Sequence, residues 1–204
     1  MINKYFSWWL FLLLTSSITF ADVSKADLSA REVVADFQAE LLDTMKQGES
    51  MNFDGRYKKL SDPVINSHDL TKIARIVVGK EWKIFTDEQK KTLVKIFARL
   101  SIASYAHNFK GHSGEEFKFD SEKKTARGGM VIHTLLKIPG DQDVKLDYQM
   151  KKKENEWRII NIIANGVSDL ALKRSEYTSI LKREGFDALL AKISGKIEQY
   201  STQE

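Results

Sequence analysis

The residues able to do chemistry in this 204-residue chain are few, and their spacing does not bring them together. The four histidines are His68, His107, His112 and His133. They form neither a His-x-x-x-His nor a His-Glu-x-x-His pattern, and no carboxylate pair repeats at ligand spacing, so no metal site is expected. There is no cysteine, which excludes thiol nucleophiles, disulfides, cysteine-ligated zinc and iron–sulfur clusters. Gly111-His112-Ser113-Gly114 approaches a nucleophile elbow, but Glu115 stands where the motif needs its last glycine. An elbow also joins a strand to a following helix, whereas this segment follows a helix and precedes a strand. Arg127-Gly128-Gly129 lacks phosphate-loop spacing and reads as a strand start or bulge. No nucleophile, base and orienter converge, so the chain is read as a non-enzyme with no catalytic residue, no metal and no cofactor.

Charge says little more. Lys and Arg number 32 against 28 Asp and Glu, a net +4 that is too mild to argue for nucleic acid. The runs Lys58-Lys59, Lys90-Lys91, Lys123-Lys124 and Lys151-Lys152-Lys153 read as solvated faces. A basic rim for anionic headgroups or an acidic partner is the sharper alternative. Aromatics do not interleave with these runs as a stacking platform requires, so no nucleic-acid partner is expected. Apolar residues at 42% and only two prolines place the chain among globular proteins with a core of their own.

The amino terminus stands apart. Lys4 precedes an apolar run from Tyr5 to Leu14, and Thr19-Phe20-Ala21 supplies small residues for a cut. This is the pattern of a secretory signal peptide, 1–21, cleaved after Ala21, and the run is too short to span a membrane. No cysteine follows the cut, so no lipid anchor is expected there. The remainder, 22–204, is expected to be a single domain working in an exported compartment of periplasmic type.

The elements that must position any site follow from periodicity. Helices are expected at 29–48, opened by the capping box Ser29-Ala30-Arg31-Glu32, at 53–65 with an interruption at Pro63, and at 70–78, capped by Ser67 or Asp69. Thr86-Asp87-Glu88-Gln89 opens another to Asn108. Beyond Gly111 the apolar period falls to two. Phe117 and Phe119 alternate with charged residues, as do Val144, Leu146, Tyr148 and Met150. Segments 129–138 and 157–164 are apolar on both faces, which calls for cover on each side of the sheet. Turn signals at 121–123, 139–141 and 154–156 make the strands an antiparallel meander. Two helices, 168–184 and 187–200, close the chain. The fold class is therefore α+β: helices, a four-stranded antiparallel sheet, then helices.

Several segments taken together resemble a known family. Trp157-Arg158-Ile159-Ile160-Asn161-Ile162 is followed by Asn165-Gly166-Val167-Ser168, by a helix bearing Lys173-Arg174, and by Gly185-Phe186-Asp187. Earlier come Asp69-Leu70, Gly79, Trp82, Thr86-Asp87-Glu88-Gln89 and the Phe97–Tyr105 stretch. This order is similar to that of the MlaC, or toluene-tolerance, family, with wording near its hopanoid-associated branch. Val78 and Asn165 depart from its common residues. The resemblance implies a periplasmic phospholipid carrier that is monomeric and not an enzyme. It would pass lipid between an outer-membrane lipoprotein–porin complex and an inner-membrane ABC transporter, and so maintain outer-membrane asymmetry. It implies an apolar pocket between sheet and helices lined by Val77, Trp82, Phe97, Leu100, Tyr105, Met130, Ile132, Ile163, Val167 and Leu170. A hopanoid or other apolar small molecule as ligand, or a periplasmic chaperone, are the alternatives.

Overall fold

The computed structural model describes residues 28–203, so the expected leader lies outside the described residues. The element order is helices, sheet, helices, the α+β arrangement expected.

Helix α1 (Ala30–Gln47) opens on the capping box: Glu32 N–H donates to Ser29 Oγ, and Ser29 N–H to the Glu32 carboxylate. Helix α2 (Phe53–Ser67) runs through Pro63 instead of breaking there. The proline removes one N–H close to the helix end, while Leu60 and Val64 on either side are wholly buried and hold the turn in place. Asp69 caps α3 (Leu70–Val78), accepting from Lys72 N–H at 3.0 Å. Ser67 instead donates to the Pro63 carbonyl. A second capping box, Thr86 with Gln89, starts α4 (Asp87–Asn108). Helices α5 (Asp169–Glu184) and α6 (Phe186–Thr202) are separated by Gly185 at φ +87°, where a side chain would be strained.

The sheet is an antiparallel meander of β1 (Glu116–Lys124), β2 (Met130–Lys137), β3 (Val144–Lys153), β4 (Glu156–Ala164) and β5 (Val167–Ser168). It has five strands, not four. Asn165 and Gly166 both take positive φ and close a two-residue hairpin, after which Ala164 pairs with Val167 and Ile163 with Ser168. The chain thus makes one more ladder step before α5 begins.

Cover of the sheet is partial: Phe119 of β1, opposite the buried Thr134, is 40% exposed. Ile132 and Thr134 of β2 are buried, while Val131, His133 and Leu135 on the other face are half-buried, and His133 faces Asp147 of β3. The apolar run in β4 has another cause. Gln149 pairs with Asn161 and Met150 with Ile159, leaving Ile160 as an extra, bulged residue.

The buried side chains form two main cores. In the first, Phe37 and Leu41 of α1 and Leu60 and Val64 of α2 pack on Ile132, Tyr148 and Ile159 of the sheet. In the second, Val77 of α3 and Leu93, Phe97 and Leu100 of α4 pack on Tyr177 of α5 and Leu189 and Ile193 of α6. Helix α4 serves both, because its Ile102 belongs to the first core.

Candidate functional site

A cavity of about 390 Å³ lies at the seam between the two cores. Leu41, Leu146, Tyr148 and Ile159 border it from the first core, and Phe97 and Leu100 from the second. The bulged strand adds Ile160, Asn161 and Ile162. Ser101, Ser104 and Asn108 run along its α4 side. Where β5 enters α5, Val167, Asp169, Leu170 and Lys173 complete the wall. Val167 is 56% exposed and marks the open end, and beside it Lys173 pairs with Asp169 one helical turn apart. The lining is therefore mainly apolar, with a charged rim.

Two buried polar networks border this space. The junction of α2 and α3 is fastened to β4: Asp69 N–H donates to the Ile159 carbonyl at 3.0 Å, and His68 forms a single parallel bridge with Ile159. The His68 ring then stands edge-on to Phe37, with 5.0 Å between centroids. His68 Nδ1 lies 2.8 Å from Ser67 Oγ and 3.2 Å from the Val64 carbonyl; the Ser67 hydrogen is given to the Pro63 carbonyl and a carbonyl can only accept, so Nδ1 carries the hydrogen. Nε2 is then an acceptor, and the Tyr105 hydroxyl donates to it at 3.0 Å. Burial pushes the His68 imidazole down to about 4, so it is neutral at ordinary pH. Burial likewise raises the Tyr105 phenol well above its usual range.

The second network runs from α1 to the sheet. Thr134 Oγ1 donates to the Leu146 carbonyl at 3.4 Å and accepts from Gln38 Nε2 at 3.0 Å. The same Gln38 nitrogen donates to Tyr148 Oη at 3.2 Å. Burial drives the Tyr148 phenol up to about 12, against the lowering effect of the Gln38 bond.

Of the residues expected to line a pocket, Phe97, Leu100, Tyr105, Val167 and Leu170 border this cavity. The other five lie elsewhere. Val77 is fully buried inside the second core, and Trp82, in the 3-10 turn Gly79–Lys83, packs on that core's margin. Met130 and Ile132 belong to β2, and β3 stands between them and β4. Ile163 pairs with Asp147 on the sheet face opposite Ile162. His68, Tyr148, Ile159 and the Asp169–Lys173 rim were not anticipated. Tyr148 had a signal, since it sits on the buried side of an alternating strand. His68 had none, because only the folded topology brings it to Tyr105.

A second cleft, of about 420 Å³, lies between α1, α2 and the start of β4. Asp36, Glu40, Asp62 and Glu156 stand around Phe37, Pro63 and Trp157 there. No group of three or more potential metal ligands occurs among the described residues, and none of their helices is long and apolar enough to cross a membrane.

A mixed helix-and-sheet shell around a mainly apolar internal cavity is the architecture of a binding domain. The chain belongs to the MlaC family: that family's model, described as MlaC protein, matches residues 35–195. It is similar to the "Intermembrane phospholipid transport system binding protein MlaC" of Haemophilus influenzae, with 24% identity over 127 residues, 60% of this chain and 59% of that protein. The chain thus matches less than two thirds of that relative's length. In fold it is similar to the phospholipid-binding protein from Ralstonia solanacearum solved in complex with a phospholipid. That likeness has a TM-score of 0.75 at 20% identity and covers 85% of this chain and 99% of the other.

Proposed function

We propose that this chain is a carrier that binds phospholipid by its acyl chains in the seam cavity. The observation that carries the reading is the position of the cavity between two separately packed cores. A ligand can fill or leave that seam without dismantling either core. Family membership and the phospholipid named for both relatives support the choice of ligand. Phe97, Leu100, Leu170 and Val167 are the proposed tail contacts, with the headgroup outside beside Asp169 and Lys173. The remaining nominated positions, Val77, Trp82, Met130, Ile132 and Ile163, would act through packing.

Each buried methylene contributes about 0.8 kcal/mol, so two tails sum to roughly 20 kcal/mol before costs, near the ceiling for non-covalent binding. Spontaneous release would then be very slow, and handover requires docking on a partner. Following the family, we place the carrier in the periplasm after removal of 1–21. There it would work between an outer-membrane lipoprotein–porin complex and an inner-membrane ABC transporter.

The test is organic extraction of the protein purified from periplasm, followed by lipid mass spectrometry. Stoichiometric phospholipid is the expected result. A phosphorus-free polycyclic lipid would replace the ligand class, and a lipid-free protein that captures unfolded envelope proteins would replace the function with a chaperone's.

A further inference from the structure

The connection between α3 and α4 presents groups that neither core nor cavity uses. Ile84, just past the 3-10 turn Gly79–Lys83, is 74% exposed, more than any other large apolar side chain among the described residues. Lys80 and Lys83 of that turn are exposed, and Trp82 between them is half-buried. The turn lies along α5: a β-carbon at Gly79 would stand 3.4 Å from Arg174 Nη2 and 3.9 Å from Thr178 Cγ2. Further on, Phe85 meets Phe186, just past the end of α5, at 4.9 Å between ring centroids. Arg174, Thr178 and Lys182 follow one another at four-residue spacing and so share the α5 face beside the turn.

Arg174 and Lys182 are exposed like the two lysines, and none of the four cations has an ion pair among the described residues. The acids of α5 are already matched, Asp169 to Lys173, Glu176 to Lys192 and Glu184 to Arg183. Glu81 is the one acid of the turn. Glu88 and Asp187 stand in the first turns of α4 and α6, where the helix dipole offsets a negative charge. Uncompensated cations around an exposed aliphatic side chain and an indole held at the surface match the boundary of an anionic bilayer. Phosphates meet the cations, the indole suits the border between polar and apolar layers, and the aliphatic chain enters below it. An acidic polypeptide would match the cations but not Ile84.

We propose that this surface docks the protein on anionic lipid bilayers. It borders neither cavity, so the inference goes beyond the carrier reading and does not depend on it. Arg174 lies one helical turn past Leu170, which borders the seam cavity, so docking brings the open end of that cavity close to the lipid surface.

The experiment is co-sedimentation of the protein purified from periplasm with vesicles of phosphatidylcholine, alone or mixed with phosphatidylglycerol. We expect sedimentation with the mixed vesicles only, reversed by high salt. Lys80→Gln combined with Lys83→Gln should lower the partition coefficient roughly thirtyfold. Ile84→Asp should weaken binding with the thermal melt unchanged. The control, Lys123→Gln combined with Lys124→Gln, removes the same charge from exposed positions of β1 and should keep most of the binding. Wild-type protein that stays in solution with the mixed vesicles overturns the proposal, and phospholipid extracted from the same preparation would leave the carrier reading standing. A control that loses as much binding as the turn variant reduces the effect to net charge and also overturns it, as does Ile84→Asp binding at the wild-type level. Failure to sediment, with binding of poly-glutamate that depends on Lys80 and Lys83, reassigns the surface to an acidic protein.

Discussion

The Tyr105 hydroxyl lies 3.0 Å from His68 Nε2, a bond that joins residues 37 apart and ties α4 to the junction of α2 and α3. It requires a neutral imidazole, because a protonated ring would have no lone pair to offer.

Acid sensitivity follows from this pair. The folded His68 titrates at about 4 against 6.5 for an ordinary histidine, so below 6.5 the unfolded chain takes up a proton that the folded one refuses. His68's contribution to stability is thus full above pH 6.5 and is lost as pH falls towards 4, by roughly 3 kcal/mol in all. Urea unfolding across this range should show the decline, and NMR of the His68 ring should show no titration near neutrality. A His68 that titrates at 6.5 would refute the assignment.

Val167→Glu should separate folding from binding. The residue is 56% exposed at the cavity mouth, so a carboxylate there stays hydrated and should change stability by no more than about 0.5 kcal/mol. It should sharply reduce co-purified lipid. Mass spectrometry that finds wild-type stoichiometry would remove Val167 from the binding surface. Leu100 suits the opposite change: it is 1% exposed, and Leu100→Ala should cost about 2–5 kcal/mol while enlarging the cavity.

Val77→Ala provides the packing control. The side chain is fully buried in the second core and does not border the cavity. A loss of about 1–3 kcal/mol is expected by denaturant melting, with lipid stoichiometry unchanged. Loss of lipid in a folded variant would extend the site into that core.

Gly48→Ala tests a close backbone approach. Gly48 has ordinary helical φ, so conformation does not demand glycine there. A β-carbon would instead overlap the Lys110 carbonyl. The substitution must push the segment after α4 away from the end of α1, and thermal melting should show a loss of at least 1 kcal/mol.

Much of this architecture was legible because it depends on local signals. Both capping boxes, Asp69 and Gly185 mark helix ends by chemistry confined to a few neighbouring residues. The hairpin turn at Asn165-Gly166 was not among the turns read from the sequence, and β5 was missed because a two-residue strand has no periodicity of its own. The site was harder. Apolar spacing marks Val77 and Phe97 alike as inward-facing, but does not say which of two cores each serves or where the cores part. Parity alone could have separated Ile163 from Ile162, had the bulge at Ile160 not shifted the alternation. His68 and Tyr148 came to notice only through partners distant in sequence.

The division into two cores also sets an order of assembly. Leu189 and Ile193 of the final helix are fully buried among residues of α3 and α4, which are synthesised far earlier. A chain emerging from its N-terminus can pair α1, α2 and the sheet, but Ala74, Val77, Leu93 and Phe97 must wait for residues 186–202 before water leaves them. Closure of this kind keeps α3 and α4 loosely packed until α6 has been synthesised, and it makes that helix the step that completes the second core.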